Sequence, residues 1–165
     1  MEIKLLPENH PQLKEISQDY DFEKDGDPTE IVKVMTKIMF EHNGIGLAAP
    51  QVGVQKRLFI MGNEHKLVVC INPKIISGTG NVKDLEGCLS FPDLWLKVVR
   101  YHSVVVQYQN ISNETVNDTL TGIIARVFQH EYDHLDGVCF DSKVGPISLD
   151  FAKNKRRKKL VKSLY

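Results

Sequence analysis

FQHEYDHLDG, residues 128–137, sets two histidines four positions apart with a glutamate directly after the first. On a helix, positions i and i+4 lie one turn apart on one face. His130 and His134 could therefore aim both imidazoles at one ion, with Glu131 beside it as a proton carrier. The stripe extends backwards, since Ile123, Val127, His130 and His134 fall at i, i+4, i+7 and i+11. This predicts a helix over about 120–136, with Thr119 as cap and Gly137 as terminator. The histidines continue its apolar face, so they should be buried against strands. Buried imidazoles need partners. Backbone hydrogen bonds would satisfy them, and so would a metal ion. Two histidines do not complete a catalytic centre, which usually has three protein ligands and an open position.

The rest of the chain supplies the strands for that helix to cover. RLFIM and KLVVCI, separated by GNEH, read as a hairpin. LKVVRYHSVVVQYQN is rich in Val and Tyr and reads as one or two more strands, with a break near His102-Ser103. GDPTEIVKVMTKIMFEHNG reads as an N-terminal helix: Asp27 caps it, Pro28 takes the first position and Glu30 completes a capping box. Its apolar stripe is Ile31, Met35, Ile38 and Met39, and Asn43-Gly44 ends it. The expected class is α+β, with antiparallel β-sheets packed around a central helix carrying HExxH and a helix near the N-terminus. No repeat or low-complexity linker marks a boundary, so residues 1–165 are expected to form one domain with a short basic tail at about 150–165.

The bulk composition is that of a soluble globular chain, 42% apolar and 25% charged. No apolar run approaches the roughly 20 residues that span a bilayer. No basic region followed by an apolar stretch opens the chain, so no secretory leader is expected and a cytoplasmic setting is. Three cysteines cannot all pair, which fits a reducing compartment and leaves a thiolate available as a ligand. The zero net charge hides an asymmetry. Residues 150–165 hold seven Lys/Arg against one acid, leaving 14 basic and 20 acidic residues in 1–149. That tail reads either as a solvated helix end or as a contact for an anionic partner such as RNA. The body shows no basic or aromatic patch such as an RNA-binding protein would need, and DNA is not an expected partner.

A third ligand could come from the cysteines, the other four histidines or the carboxylates. Cys70 and Cys139 sit among apolar neighbours and read as small core residues. Cys88 differs: it lies in DLEGCLSFPD, between Gly87 and Ser90, where neither strand nor helix periodicity holds. A thiolate there with two histidines would leave an open position, but the spacing is only suggestive. The stretch NGIGLAAPQVG, residues 43–53, is the other unusual one. It lacks the Lys-Ser/Thr of a phosphate-binding loop. Its small residues surround Gln51 and suit a peptide backbone lying close, with one amide donor aimed into the site.

Taken in order, GIGLAAPQ (44–51), EGCLS (86–90) and QHEYDH (129–134) form a set that closely resembles peptide deformylases, which remove the N-formyl group from the initiator methionine of nascent chains. The resemblance implies Cys88, His130 and His134 as metal ligands and Glu131 as general acid/base. It implies Gln51 and the backbone N–H of Leu89 as the pair that receives the oxyanion. The metal implied is Fe²⁺, with Zn²⁺, Ni²⁺ or Co²⁺ in preparations. Glu86 and Arg100 match an ion pair that braces the cysteine loop. Ile45, Ile123, Val127, His130 and the methylene stem of Arg126 match the walls of a methionine pocket, and Trp95 its rim, with a core position as the alternative for Trp95. The backbone of Gly46 would bond the substrate peptide. The implied partners are N-formylmethionyl nascent peptides, and the basic tail would make transient contact with the ribosome. The tail is shorter than in common bacterial members, as in compact phage-encoded ones. A zinc endopeptidase would share His130, Glu131 and His134, but would usually take its third ligand from further along the chain.

Overall fold

The computed structural model describes residues 3–164. Its five strands are β1 (Gly46–Ala48), β2 (Leu58–Asn63), β3 (Lys66–Cys88), β4 (Phe91–Gln109) and β5 (Thr115–Thr121). They join in chain order into one sheet, and every pairing is antiparallel. Three α-helices accompany it: α1 (Thr29–Glu41), α2 (Gly122–Leu135) and α3 (Pro146–Lys162). The class is therefore α+β, built on a single antiparallel sheet where the sequence suggested several. The β3–β4 hairpin explains the difference. It is long and its register shifts near Ile71/Lys74, Ile75/Ser77 and Glu86/Cys88. Bulges of this kind bend a strand pair, and the two ends of β4 serve separate cores. Val104, Val106 and Tyr108 pack with Phe59, Ala125 and Phe128, while Phe91, Leu94, Leu96 and Val98 pack with Leu6, Leu13 and Phe140.

Along β4 the buried side chains alternate from Leu94 through Leu96, Val98 and Arg100, and again through Val104, Val106 and Tyr108. That period of two is what a half-buried strand requires. The alternation lapses at His102, which is exposed, but the strand itself continues through His102 and Ser103, so the break in the strand expected there is absent. Arg100 holds a core-facing position, where a charge must find partners. β3 reaches 17 residues beyond the apolar run that announces it and carries Cys88 as its last residue. Its second half is largely exposed and polar, so apolar alternation could not reveal it.

α1 starts one residue later than expected, with Pro28 as the cap and Thr29 as its first residue, and Asp27 Oδ1 accepts from the Thr29 N–H at 2.9 Å. Glu30 does not complete a capping box. It pairs with Lys33 at 2.8 Å instead. Val32 is buried with Met35, Ile38 and Met39, and Ile31 is only partly covered. α2 begins two residues later than the sequence suggested, because 120 and 121 pair with β4 as the end of β5. The expected short basic tail is a 17-residue helix, α3, none of whose residues is fully buried. Leu149 and Ala152 rest on the core around Phe91 and Phe140, and Arg156 bonds Glu8 through both terminal guanidinium nitrogens at 2.7 and 3.2 Å. Among the described residues no helix is long and apolar enough to cross a membrane.

Candidate active site

α2 packs its inner face on β1, β2, β4 and β5. Residues 125, 126, 128–131, 134 and 135 of this helix are buried. The far end of β3 brings Cys88 to the same place. One donor atom each from Cys88, His130 and His134 lies within 4.8 Å of the others, and His134 Nε2 is 3.3 Å from Cys88 Sγ. A thiol and two imidazoles suit a first-row transition ion better than calcium or magnesium. Burial holds His134 well below the usual imidazole range, so it is neutral, the form a ligand needs.

Glu86 sits two residues before Cys88 and fixes the first histidine. Its Oε1 lies 3.0 Å from His130 Nδ1, which leaves Nε2 for the cluster. The same carboxylate takes Arg100 bidentately, at 2.7 Å from Nη2 and 2.9 Å from Nε, and Arg126 Nη1 at 2.9 Å. Burial alone would raise the Glu86 carboxyl, but the hydrogen bonds from His130 and Arg100 outweigh it and hold it well below the usual range. Arg126 does more than offer a methylene stem. Its head also donates to the Val98 and Val82 carbonyls at 2.9 and 2.7 Å.

Glu131 is 4% exposed, and its Oε2 has no hydrogen-bond partner; among the described residues His134 Nδ1 is the other buried side-chain polar atom without one. An uncompensated carboxylate is costly to bury, and a bound ion beside it would supply the missing charge. Burial pushes the Glu131 carboxyl up to about 7, in the range where a general acid/base works best near neutral pH. Gln51 is clamped through its carbonyl, which accepts the Ala48 N–H at 2.9 Å. Its NH₂ is thereby turned towards Cys88 Sγ at 3.5 Å and Ser90 Oγ at 3.3 Å.

These groups line a cleft of about 610 Å³. Ile45, Gly46, Gln51, Glu86, Cys88, Leu89, Trp95, Ile123, Arg126, Val127, His130 and Glu131 all contribute to its wall. Arg100 and His134 stand behind that wall. Ile45, Trp95 and Ile123 are each more than half exposed, so Ile123 does not join the core and Trp95 is not a core aromatic. Trp95 lies over Gly87, where an added β-carbon would sit 3.0 Å from the indole. Exposed apolar groups gathered round a polar cluster mark a binding cleft.

A polypeptide deformylase family model matches residues 3–148. The chain belongs to the polypeptide deformylase family. A peptide deformylase of Thermotoga neapolitana is 40% identical over 134 residues, 76% of this chain and 82% of that one. One from Thermodesulfovibrio yellowstonii is 35% identical over 164 residues, 96% and 98% of the respective chains. The crystal structure of a peptide deformylase from Legionella pneumophila superposes with a TM-score of 0.87 at 31% identity, covering 98% of this chain and 97% of that one. Deformylases are metal-dependent amidases that remove the formyl group from an N-terminal methionine, and this chain is an enzyme of that kind.

Sequence reasoning passed over three residues of the site. Ser90 is 1% exposed and faces Gln51, although it lies within EGCLS. Asp133 lies within QHEYDH and pairs with Arg100 at 2.8 Å. Asp93, on the cleft wall, pairs with Lys159 of α3 at 2.9 Å. Only the first two had a local signal, a polar residue inside a motif whose neighbours are buried.

Proposed function

We propose that Cys88, His130 and His134 hold the enzyme's single divalent ion, on the central helix α2 and the end of β3, and that Glu131 carries the proton in formyl removal. The convergence of three donors beside a buried, unpartnered carboxylate carries this reading. The ion is Fe²⁺ by family resemblance, with Zn²⁺, Ni²⁺ or Co²⁺ able to occupy the same donors. When bound, it supplies the Lewis acidity that makes water nucleophilic near neutral pH.

The protein's own groups do the rest. Glu131 accepts a proton as water attacks and returns it to the departing amine. Negative charge grows on the formyl oxygen as its carbon becomes tetrahedral. The Gln51 NH₂, already oriented by the Ala48 N–H, and the backbone N–H of Leu89 receive that charge. Losing one such donor typically costs about 2.7–4 kcal/mol of barrier. Ile45, Ile123, Val127, Trp95 and the stem of Arg126 take the methionine side chain, and the backbone of Gly46 bonds the peptide. Gly46 packs against Glu131 and Val127 so closely that no β-carbon fits. This crowding suits a formyl group and disfavours larger acyl groups. Nascent chains bearing formyl-methionine are the substrates, the setting is cytoplasmic, DNA is not a partner, and the basic outer face of α3 contacts the ribosome transiently. A zinc endopeptidase is not favoured, because the third donor comes from upstream of the helix.

The test compares a formyl-methionyl peptide with its acetylated and internal counterparts, with metal content measured on the same sample. Turnover of the formyl peptide alone, scaling with bound metal, is expected. Cleavage of the internal peptide would return the endopeptidase.

A further inference from the structure

Four side chains from three elements close a ring behind the metal ligands. His130 on α2 meets Glu86 on β3 at 3.0 Å, Glu86 meets Arg100 on β4 at 2.7 Å, and Arg100 Nη1 returns to α2 through Asp133 Oδ2 at 2.8 Å. His130 and Asp133 are three positions apart, so both project from neighbouring points of one helical face. The guanidinium is planar, and its donors are split between two carboxylates, one edge on Glu86 and Nη1 on Asp133. With Asp133 in place, Arg100 cannot rotate in its plane without breaking one pair.

Glu86 is thereby fixed in turn. It takes the His130 Nδ1 contact that orients the ring, and it stands two residues before Cys88 on the same strand. We infer that Asp133 is a positioning residue for the metal centre: by closing this ring it sets the distance between the helix that carries both histidines and the strand end that carries the cysteine. Arg100 and Glu86 have side-chain exposures of 3% and 7%. Asp133 is the member nearest water, at 17%, where it also meets Lys143 at 3.1 Å. It lies in a second, shallower hollow with Tyr101, Gln129 and Lys143, apart from the substrate cleft. An effect of Asp133 on the ion therefore cannot arise from contact with substrate.

The inference rests on the ligand assignment above, and the experiment separates the two. Protein is loaded with Co²⁺, and its visible spectrum and its rate of metal loss to a chelator are recorded for wild type, Asp133→Asn and Asp136→Asn. Asp136 pairs with Arg57 at 2.7 Å just beyond the same helix and lies outside the ring, so it controls for a lost ion pair at that helix end. Asp133→Asn should shift the cobalt bands and speed metal loss severalfold, less than the about 10–100-fold typical of a group that bonds a ligand directly. It should lower kcat while leaving KM near the wild-type value. Asp136→Asn should change none of these. If Asp133→Asn does not fold, Asp133→Ser, which leaves room for water on Arg100, is read in the same way. A folded Asp133 variant with wild-type bands and metal loss overturns the inference. Wild-type protein that takes up no cobalt, or whose cobalt lacks a thiolate band, overturns the ligand assignment instead.

Discussion

Gly46→Ala adds one methyl group to β1 and tests how tightly Glu131, the proposed proton carrier, is held. A β-carbon built on Gly46 would lie 2.8 Å from Val127 Cγ1 and 2.9 Å from the carboxyl carbon of Glu131. Carbon atoms settle at about 3.5–4.0 Å, so a displacement of about 0.6–1.2 Å is forced. Val127 and Glu131 are four positions apart on one face of α2, so relieving one contact does not relieve the other. The helix cannot simply back away, because His130 is tied to Glu86 on β3. The shift therefore falls largely on the Glu131 carboxylate. A misplacement of about 1 Å in a catalytic group can cost about 100-fold in rate, and overpacking costs about 1–3 kcal/mol of stability. The assay is kcat and KM on a short formyl-methionyl peptide, with metal content and melting temperature from the same preparation. A folded, metal-loaded protein with kcat down about 100-fold is expected. A folded Gly46→Ala enzyme with the parent's kcat would refute the claim that Glu131 must sit where the crowding holds it.

Glu131→Ala should retain its metal and lose about 10²–10⁴ in kcat, the usual contribution of a general acid/base; loss of metal from the folded variant would make Glu131 a ligand. For the metal-free protein, Glu86 sets an acid limit. Its folded carboxyl lies below the ordinary 4.5, so its stabilisation is complete above that pH and drains away as the pH falls towards the folded value. Glu86→Gln should accordingly be less stable at neutral pH and show a flatter loss of stability in acid, and parallel urea-denaturation curves from neutral pH downward would contradict this. Trp95 fluorescence should change when a hydroxamate inhibitor enters the cleft, and an unchanged spectrum with an unaltered KM for Trp95→Ala would separate it from substrate. Deleting residues 152–165 removes the Arg156–Glu8 and Lys159–Asp93 pairs but, among the described residues, no fully buried side chain, so peptide hydrolysis should persist. Ribosome binding, if α3 provides it, should fall steeply with salt and vanish on deletion, and salt-insensitive binding would sink that role.

What the sequence disclosed follows from where apolar periodicity survives. α1, the β2–β3 hairpin and most of α2 announce themselves because each keeps one covered face. The second half of β3 does not, since its side chains are largely exposed and its glycines weaken any strand pattern. Cys88 consequently read as a turn residue, although it ends the longest strand. The histidine pair was legible because helical spacing alone puts both rings on one side. The ring through Arg100 and Asp133 was not, because it depends on the β3–β4 register, which places Glu86 opposite Leu96 and Val82 opposite Arg100. Residues 152–165 looked like a tail because their charge masks two ion pairs to distant parts of the chain.

Cys88 and His134 stand 46 positions apart, and the intervening segment is the excursion through β4, β5 and α2. An ion held by both is therefore a chain crosslink as well as a reagent. Closing a loop of that length in a disordered chain costs about 3 kcal/mol by the length-dependent part of loop entropy. The three donors converge only in the folded chain. Binding should then be selective for the finished fold, and the ion should slow the opening of the segment from β4 to α2 far more than that of α1. Amide exchange with and without metal would trace that boundary along the chain.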